Sequence, residues 1–194
     1  MKASGNSSID KQILFALERI SEAFKVLLLE QGKETGLSPI QIQILIFIAS
    51  QRPERCRVSY LAEEFSLTKA TISDSVKVLI QKQLLVKYPD PVDTRSFSLS
   101  LSDAGKEITT RVSSFNGVIK NLLGNIAADD KNTFYSILTQ LIQGLNQKGV
   151  ISIKRNCVSC RFYSSEDGQH YCSLIKSQLR TEELRADCGE HEIR

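Results

Sequence analysis

The chain has 194 residues, of which 41% are hydrophobic and 24% are charged, and its formal net charge is +3. This composition suits one large domain or two small ones, and the longest apolar run, residues 44–49, is far too short to span a membrane. The net charge is too small to establish nucleic-acid binding by electrostatics alone. Because residues 1–8 lack the apolar stretch of a signal peptide, we expect a cytoplasmic protein with reduced thiols.

The N-terminal part of the chain is predicted to be helical. Apolar residues from Ile9 to Leu27 recur at steps of four and three, which predicts one long amphipathic helix. Ser38 and Pro39 then indicate a helix start, with serine as the N-cap and proline in the first turn. The alternation in residues 40–44 is also typical of a strand, but the cap and the loss of alternation afterwards favour a helix.

Two short amphipathic helices follow, joined by a turn. Ser59 is the expected N-cap of the first helix, and Thr68 is the expected N-cap of the second. The second helix carries Lys69, Ser73 and Lys77 at spacings of four, on the face opposite its apolar stripe. Two helices around a short turn, with a polar and basic outer face, are typical of a helix-turn-helix.

A β-hairpin and two further helices are predicted next. Residues 85–88 and 96–101 are expected to pair across a loop that is rich in proline and aspartate. Ser102 then caps a helix whose apolar stripe continues to Ile126, and a last helix runs from Asp129 to Gly149. The long apolar stripes exceed what one small domain can cover, so we expect helix-to-helix dimerisation.

Three segments of this region carry a family resemblance. Residues 66–73 (SLTKATIS), 90–95 (DPVDTR) and 99–105 (LSLSDAG), with Val76-x-x-Leu79-Ile80 after the first of them, resemble in order and spacing the MarR family of winged-helix regulators. The resemblance covers roughly residues 8–147. It implies a mainly α winged helix-turn-helix with a small β wing, and a homodimer joined by long N- and C-terminal helices. It also implies a regulator of transcription that binds double-stranded DNA, and we expect a repressor.

The resemblance further implies a recognition helix in the major groove and a wing arginine in the minor groove. The implied DNA-binding residues are Thr68, Lys69, Thr71, Ser73, Lys77 and Arg95. The lysines suit phosphate or guanine, the hydroxyls suit base edges or phosphate, and Arg95 suits a narrow minor groove. For each residue except Arg95, an ordinary role on the solvated surface explains the sequence equally well.

Two residues depart from the expected pattern. Asp74 places an acid on or near the DNA-facing side, where it can accept from a cytosine amino group or, more commonly, pair with Lys77. Gln83 stands where the family usually has glycine, which costs stability if the backbone there needs a positive φ.

The tail lies outside the resemblance and contains four of the five cysteines, in the spacing CxxC-x11-C-x15-C. We predict a metal-binding module in residues 150–194, after a DNA-binding and dimerisation domain in residues 1–149. The predicted ligands are Cys157, Cys160, Cys172 and Cys188. Zinc is the first expectation, an iron–sulfur cluster is the alternative, and free thiols or a redox disulfide remain open.

The rest of the tail gives weaker signals. Asp167-Gly168 predicts a hairpin turn, followed by a short helix over residues 173–179 and another capped by Thr181. His170 and His191 are expected beside the metal centre or on the surface, because four cysteines already complete a site.

No arrangement of residues indicates catalysis, so we do not expect an enzyme. Cys56, far from the other cysteines in the sequence, is expected to be a small buried hydrophobe rather than a redox sensor. The metal centre is predicted to be structural or redox-sensing, with a small-molecule or redox effector in addition. Two other functions remain open on the same scaffold: an iron–sulfur redox-relay protein and a protein-interaction adaptor.

Overall fold

The computed structural model describes residues 6–89, 97–151 and 155–194. Helices dominate the first part of the chain. They are α1 (Asn6–Thr35), α2 (Pro39–Ser50), α3 (Val58–Glu64), α4 (Lys69–Gln81), α5 (Asp103–Val112), α6 (Gly117–Gly124) and α7 (Ala128–Gln147). Two strands, β1 (Leu85–Pro89) and β2 (Phe97–Leu101), form an antiparallel wing between α4 and α5. The predicted mainly α fold with a small β wing is confirmed.

Residues 40–44 are helical, so the strand alternative is wrong. Ser38 and Gln41 form a reciprocal cap: Gln41 N–H donates to Ser38 Oγ (3.4 Å), and Ser38 N–H donates to Gln41 Oε1 (3.0 Å). Helix α2 is buried on several sides, with Ile42, Ile44 and Leu45 fully buried. A helix that is apolar nearly all round has no clear amphipathic period, which explains why its sequence also resembled a strand.

Helix α3 begins two residues earlier than predicted. Its N-cap position is Arg57, which makes no side-chain cap, so Ser59 lies inside the helix and is not the cap. A backbone hydrogen bond closes the following turn, in which Leu67 N–H donates to Ala62 O at 2.9 Å. Within this turn, Ser66 has a φ of +52°. Thr68 caps α4 as predicted, with its hydroxyl accepting from Thr71 N–H at 3.1 Å.

Backbone contacts fix the wing to the rest of the domain. β1 and β2 pair from Leu85–Leu101 to Pro89–Phe97, and Leu99 N–H donates to Cys56 O at 2.7 Å. Gly105 lies directly against the chain before β1, since a Cβ there would stand 2.0 Å from Leu84 O. The glycine therefore permits the close approach of α5 to the wing.

The long helix predicted to continue to Ile126 is interrupted. α5 ends at Val112, a 3₁₀ turn spans Ser113–Asn116, and α6 follows. Thr109, Thr110 and Ser113 each donate a hydroxyl hydrogen bond to the carbonyl four residues earlier. Such bonds compete with the helical ladder and bend helices, which accounts for the interruption.

The tail contains a three-stranded antiparallel sheet. Its strands are β3 (Tyr163–Glu166), β4 (Gln169–Cys172) and β5 (Ser177–Leu179), in the order β3-β4-β5. The predicted hairpin turn at Asp167-Gly168 is confirmed, and both residues have positive φ angles of 47° and 77°.

Both helices predicted after β4 are wrong. Residues 173–176 form a turn, and β5 follows because Cys172 pairs with Ser177 across the sheet. A 3₁₀ turn spans Thr181–Glu183, and its N-cap position is Arg180 rather than Thr181. Pairing with β4 decides the structure of this segment.

The hydrophobic core lies between α2, α3, α4, α5 and the wing. Its fully buried large side chains are Ile42, Ile44, Leu45, Leu61, Ile72, Leu79, Leu85 and Val112, with Cys56 among them. This core fixes α4 so that its polar face points outward. Within the residues that the structure describes, no helix has the length and apolar character needed to cross a bilayer.

Candidate DNA-binding surface and four-cysteine tail

The outer face of α4 presents the predicted DNA-binding side chains together. Thr68, Lys69, Thr71, Ser73 and Lys77 are all exposed, whereas Ile72, Val76 and Leu79 on the inner face are buried. Burial of the apolar stripe against α2 and α3 thus orients the whole polar face outward. Lysine and hydroxyl side chains on one exposed helix can donate to phosphates and base edges in a major groove.

The two threonines at the start of α4 already interact with each other. Thr68 Oγ1 accepts from Thr71 N–H, and the two hydroxyl oxygens lie 2.9 Å apart. Thr68 is therefore engaged as a helix cap, and its hydroxyl retains limited capacity for a further partner. Lys69, Ser73 and Lys77 form the rest of the surface.

Asp74 is exposed on α4, and no ion pair joins it to Lys77 among the residues that the structure describes. The commoner of its two expected uses is therefore absent from this arrangement. Gln83 has a φ of +58°, so the backbone does adopt the left-handed conformation that favours glycine.

The wing contributes a cation that sequence reasoning missed. Lys87 on β1 and Lys77 on α4 line the same groove, together with Ser73 and Phe97. Lys87 Nζ lies 4.4 Å from the centre of the Phe97 ring, which holds the cation near the groove. The sequence places Lys87 between the exposed residues Val86 and Tyr88 of β1. It does not show that Lys87 faces Lys77 across a groove. Arg95, the predicted wing-tip residue, lies outside the described residues.

The four tail cysteines lie in one region, although they come from different elements. Cys157 begins a 3₁₀ turn, Cys160 follows it, Cys172 ends β4, and Cys188 lies near the C-terminus. Cys157, Cys172 and Cys188 line one cavity. Among the described residues, no three Cys, His, Asp or Glu side chains already form a group that could hold one metal ion.

The environment of Cys157 reflects this clustering. Burial raises the pKa of its thiol, a hydrogen bond from the Arg185 backbone N–H opposes that rise, and the other three cysteines raise the pKa further. Arg185 N lies 3.2 Å from Cys157 Sγ, and Arg185 Nη1 lies 3.9 Å from Cys188 Sγ. Donors directed at sulfur are the outer partners that thiolate ligands need.

Neither tail histidine takes part in a ligand group among the described residues. His170 Nδ1 lies 2.7 Å from the Tyr163 hydroxyl, and the two rings stack. His191 is buried, with Nε2 at 3.0 Å from Ser159 Oγ, and burial is the main factor that lowers its pKa. Both nitrogens thus have protein partners, in keeping with a supporting position.

Cys56 is buried in the core, at 2% exposure. Burial, with the nearby Glu54 carboxylate, raises the pKa of its thiol to about 11. Its sulfur lies 3.4 Å from Arg52 O, to which the thiol can donate. A neutral buried thiol is a poor nucleophile, so Cys56 acts as a packing residue here.

Residues 35–96 match the family model described as MarR family. The match takes in α2, the helix-turn-helix and the first strand of the wing, and it covers about a third of the chain. It includes every predicted DNA-binding residue and excludes the cysteine tail.

Solved structures support the same fold. The MepR–DNA complex of S. aureus has 19% sequence identity and a TM-score of 0.59, and the alignment covers 68% of this chain and 96% of MepR. A probable transcriptional regulator from Pseudomonas aeruginosa has 26% identity and a TM-score of 0.54, covering 69% of this chain and 98% of that one. Apo MarR from E. coli has 19% identity and a TM-score of 0.52, with 65% and 93% covered.

These alignments span nearly all of each relative and leave about a third of this chain unmatched. The chain therefore has the winged helix-turn-helix fold of MarR proteins together with additional structure. The comparison with curated proteins found no match.

Proposed function

We propose that the chain is a MarR-type transcriptional regulator that binds double-stranded DNA through α4 and the wing. The observation that carries the proposal is the exposed polar face of α4, which presents Lys69, Ser73 and Lys77. Ser73 and Lys77 line one groove with the wing cation Lys87. The family model covers this same segment. The activity is binding rather than catalysis, and a regulator of this kind works in the cytoplasm, where the tail thiols stay reduced.

We propose that two copies form the working unit. Large apolar side chains on the outer helices are exposed, including Phe15 at 57%, Leu122 at 63% and Ile137 at 51%. The accessible surface is 13226 Å², whereas a compact monomer of this mass exposes roughly 9,200 Å². A second copy that packs against α1, α6 and α7 would cover these side chains, and its interface should exceed about 2,000 Å².

A homodimer also suits DNA, because two recognition helices then meet two half-sites in successive major grooves. We expect repression, since a dimer bound across a promoter excludes other proteins from that stretch of DNA. Light scattering at micromolar concentration should report a dimer, and a stable monomer would contradict this assembly.

We propose that the four tail cysteines bind one thiophilic metal centre. Zinc is the first candidate and an iron–sulfur cluster is the alternative, because both accept four thiolates. Three of the cysteines line one cavity, and Arg185 directs donors at the sulfurs of Cys157 and Cys188, which supports the donor set. Ligand bonds of about 2.3 Å would require the sulfurs to move inward on binding.

DNA binding is tested by selecting duplexes of about 30 base pairs from a random library, long enough for two half-sites one helical turn apart. The chain should enrich a palindromic sequence. Arg95→Ala should weaken binding to that duplex by about 1–3 kcal/mol. Arg161→Ala, which removes an exposed arginine from the tail, is the matched control and should bind as the native chain does. No enrichment above the starting library would contradict the proposal.

A further inference from the structure

The strongest contact between the tail and the helix-turn-helix is centred on Arg155, which is buried at 8% exposure. Its guanidinium donates to Asp187 Oδ1 at 2.6 Å and Oδ2 at 3.0 Å, and to Glu64 Oε1 at 2.9 Å, with a second short bond to Glu64 Oε2. It also stacks on the Phe47 ring at 5.2 Å. We call these four residues the Arg155 cluster.

The cluster joins three parts of the molecule. Glu64 is the last residue of α3 in the helix-turn-helix, Phe47 belongs to α2, and Asp187 directly precedes the cysteine Cys188. Burial disfavours the charge on Arg155, but hydrogen bonds to Asp187, Glu64 and Tyr60 outweigh burial and raise its pKa above the ordinary value. Because a buried charge that loses one partner is strongly destabilised, Arg155 and Asp187 hold Glu64 in its present position.

The segment around Cys188 has further contacts with the chain between α2 and α3. Arg55 Nη1 donates to Gly189 O at 2.9 Å, and Arg55 Nη2 donates to His191 O. Arg52 pairs with Glu190, and Cys188 N–H donates to Arg155 O at 2.8 Å. Cys188 is thus held from both sides by residues that contact the DNA-binding domain.

The same segment is anchored to α7 on its other flank. The Tyr135 hydroxyl donates to Leu184 O at 2.6 Å and accepts from Ala186 N–H at 3.0 Å. Between these two residues, Arg185 N–H is directed at Cys157 Sγ. Residues 184–191, which we call the docking loop, therefore connect two of the proposed metal ligands with both α7 and the helix-turn-helix.

We propose that the docking loop couples metal occupancy of the four-cysteine site to DNA affinity. The inference rests on the proposed DNA binding and on the proposed metal centre, and adds how one controls the other. With the metal bound, Cys188 and Cys157 fix the loop, and Asp187 keeps Arg155 and Glu64 in place. Loss of the metal frees the loop, removes Asp187 from the cluster and leaves α3 without its support. The metal-loaded chain is then the form that binds DNA tightly.

The test measures affinity for the selected duplex in two states of the full-length chain, as isolated and after the metal is removed with a chelator. Removal should lower the affinity of the native chain by about tenfold or more, within the usual range of allosteric coupling. In Arg155→Met, the DNA affinities of the two states should differ little, and the metal content of the protein as isolated should equal that of the native chain. Asp187→Asn, a milder change at a half-exposed residue, should give the same loss of coupling if Arg155→Met fails to fold.

Asp167→Asn is the matched control, because it makes the same change at an exposed aspartate in the β3–β4 turn, away from the docking loop. In this control, the ratio of the DNA affinities with and without metal should equal that of the native chain. Linkage requires reciprocity, so the duplex should tighten metal binding by the same factor in the native chain and in this control.

Three outcomes overturn the inference in distinguishable ways. If the metal leaves and affinity for DNA stays the same, or if Arg155→Met keeps the native ratio, the coupling is wrong and both proposed functions stand. If the chain binds DNA and no metal, the metal centre fails together with the coupling. If it binds metal and no DNA, the DNA-binding function fails.

Discussion

Residues 28–112 contain nearly all of the buried apolar side chains of the described structure, whereas residues 155–194 contain one, Cys160. The other buried side chains of the tail are Arg155 and His191, which are polar. The first region can fold by burial of apolar surface, but the second has too small a core to do so alone. Its order depends on hydrogen bonds, on ion pairs with its neighbours and, in our proposal, on a metal bound by thiolates.

The two regions should therefore respond to different perturbations. Loss of a core side chain should destabilise the winged helix, and loss of a thiol should destabilise the tail. The Arg155 cluster and the Tyr135 contacts join the regions, so the tail can influence the winged helix without sharing its core.

The largest effect is expected from Cys172→Ser. A structural zinc site supplies about 10 kcal/mol or more, so loss of one ligand should release the metal and expose the tail to protease. The winged helix should remain folded. Cys56→Ala is the matched control, since it removes the cysteine outside the tail and should leave the metal content unchanged. Equal metal content in native and Cys172→Ser protein would contradict the proposal that Cys172 is a metal ligand.

A core substitution should destabilise the winged helix rather than the tail. Leu79 is fully buried in α4, so Leu79→Ala should lower the free energy of unfolding of the winged helix by about 2–5 kcal/mol. Denaturant unfolding followed by circular dichroism measures this change. Leu174→Ala, at a residue that is 42% exposed in the tail, is the control and should leave that transition nearly unchanged. A similar effect of both substitutions would show that the core does not lie where we place it.

A smaller effect is expected at the DNA surface. Lys77→Ala removes one exposed cation from α4, which should weaken binding by about 1 kcal/mol at roughly 0.2 M salt and reduce the slope of log K against log salt by about one. Lys87→Ala should act similarly if the wing cation also contacts phosphate. Lys148→Ala, an exposed lysine outside α4 and the wing, is the control. Identical salt slopes in all four proteins would exclude this face as the DNA contact.

The smallest effect is a gain in stability. Gln83 has a φ of +58°, so Gln83→Gly should relieve strain and raise the free energy of unfolding by about 0.5–1 kcal/mol. Gln140→Gly, in the middle of α7, should instead lower stability by about 1 kcal/mol, because glycine is unfavourable in a helix interior. A loss of stability in Gln83→Gly would show that its backbone does not need the left-handed conformation.

The winged helix could be predicted from sequence because its signals are local. Thr68 caps α4 where its hydroxyl precedes the apolar stripe. Gln83 could be singled out because a residue other than glycine costs stability there if the backbone has a positive φ, and the φ is +58°. Ser59 failed as a cap because the sequence here fits two helix starts two residues apart, and only packing decides between them.

The tail was harder to predict because its structure depends on residues that are distant in sequence. β5 forms by pairing with β4, which no local pattern around residues 173–179 indicates. The Arg155 cluster brings together Glu64, Arg155 and Asp187, and each of these alone is an ordinary charged residue in the sequence. The four cysteines were visible by type and spacing, but the arrangement of their sulfurs was not.

The claim that a bound metal orders the tail is tested most directly by limited proteolysis of the full-length chain with and without a chelator, followed by mass spectrometry. The isolated protein should resist cleavage throughout residues 155–194. After chelation, the tail should be cut while a fragment that contains α1 to α7 survives. The same cleavage pattern in both conditions, with metal shown to be removed, would contradict the account.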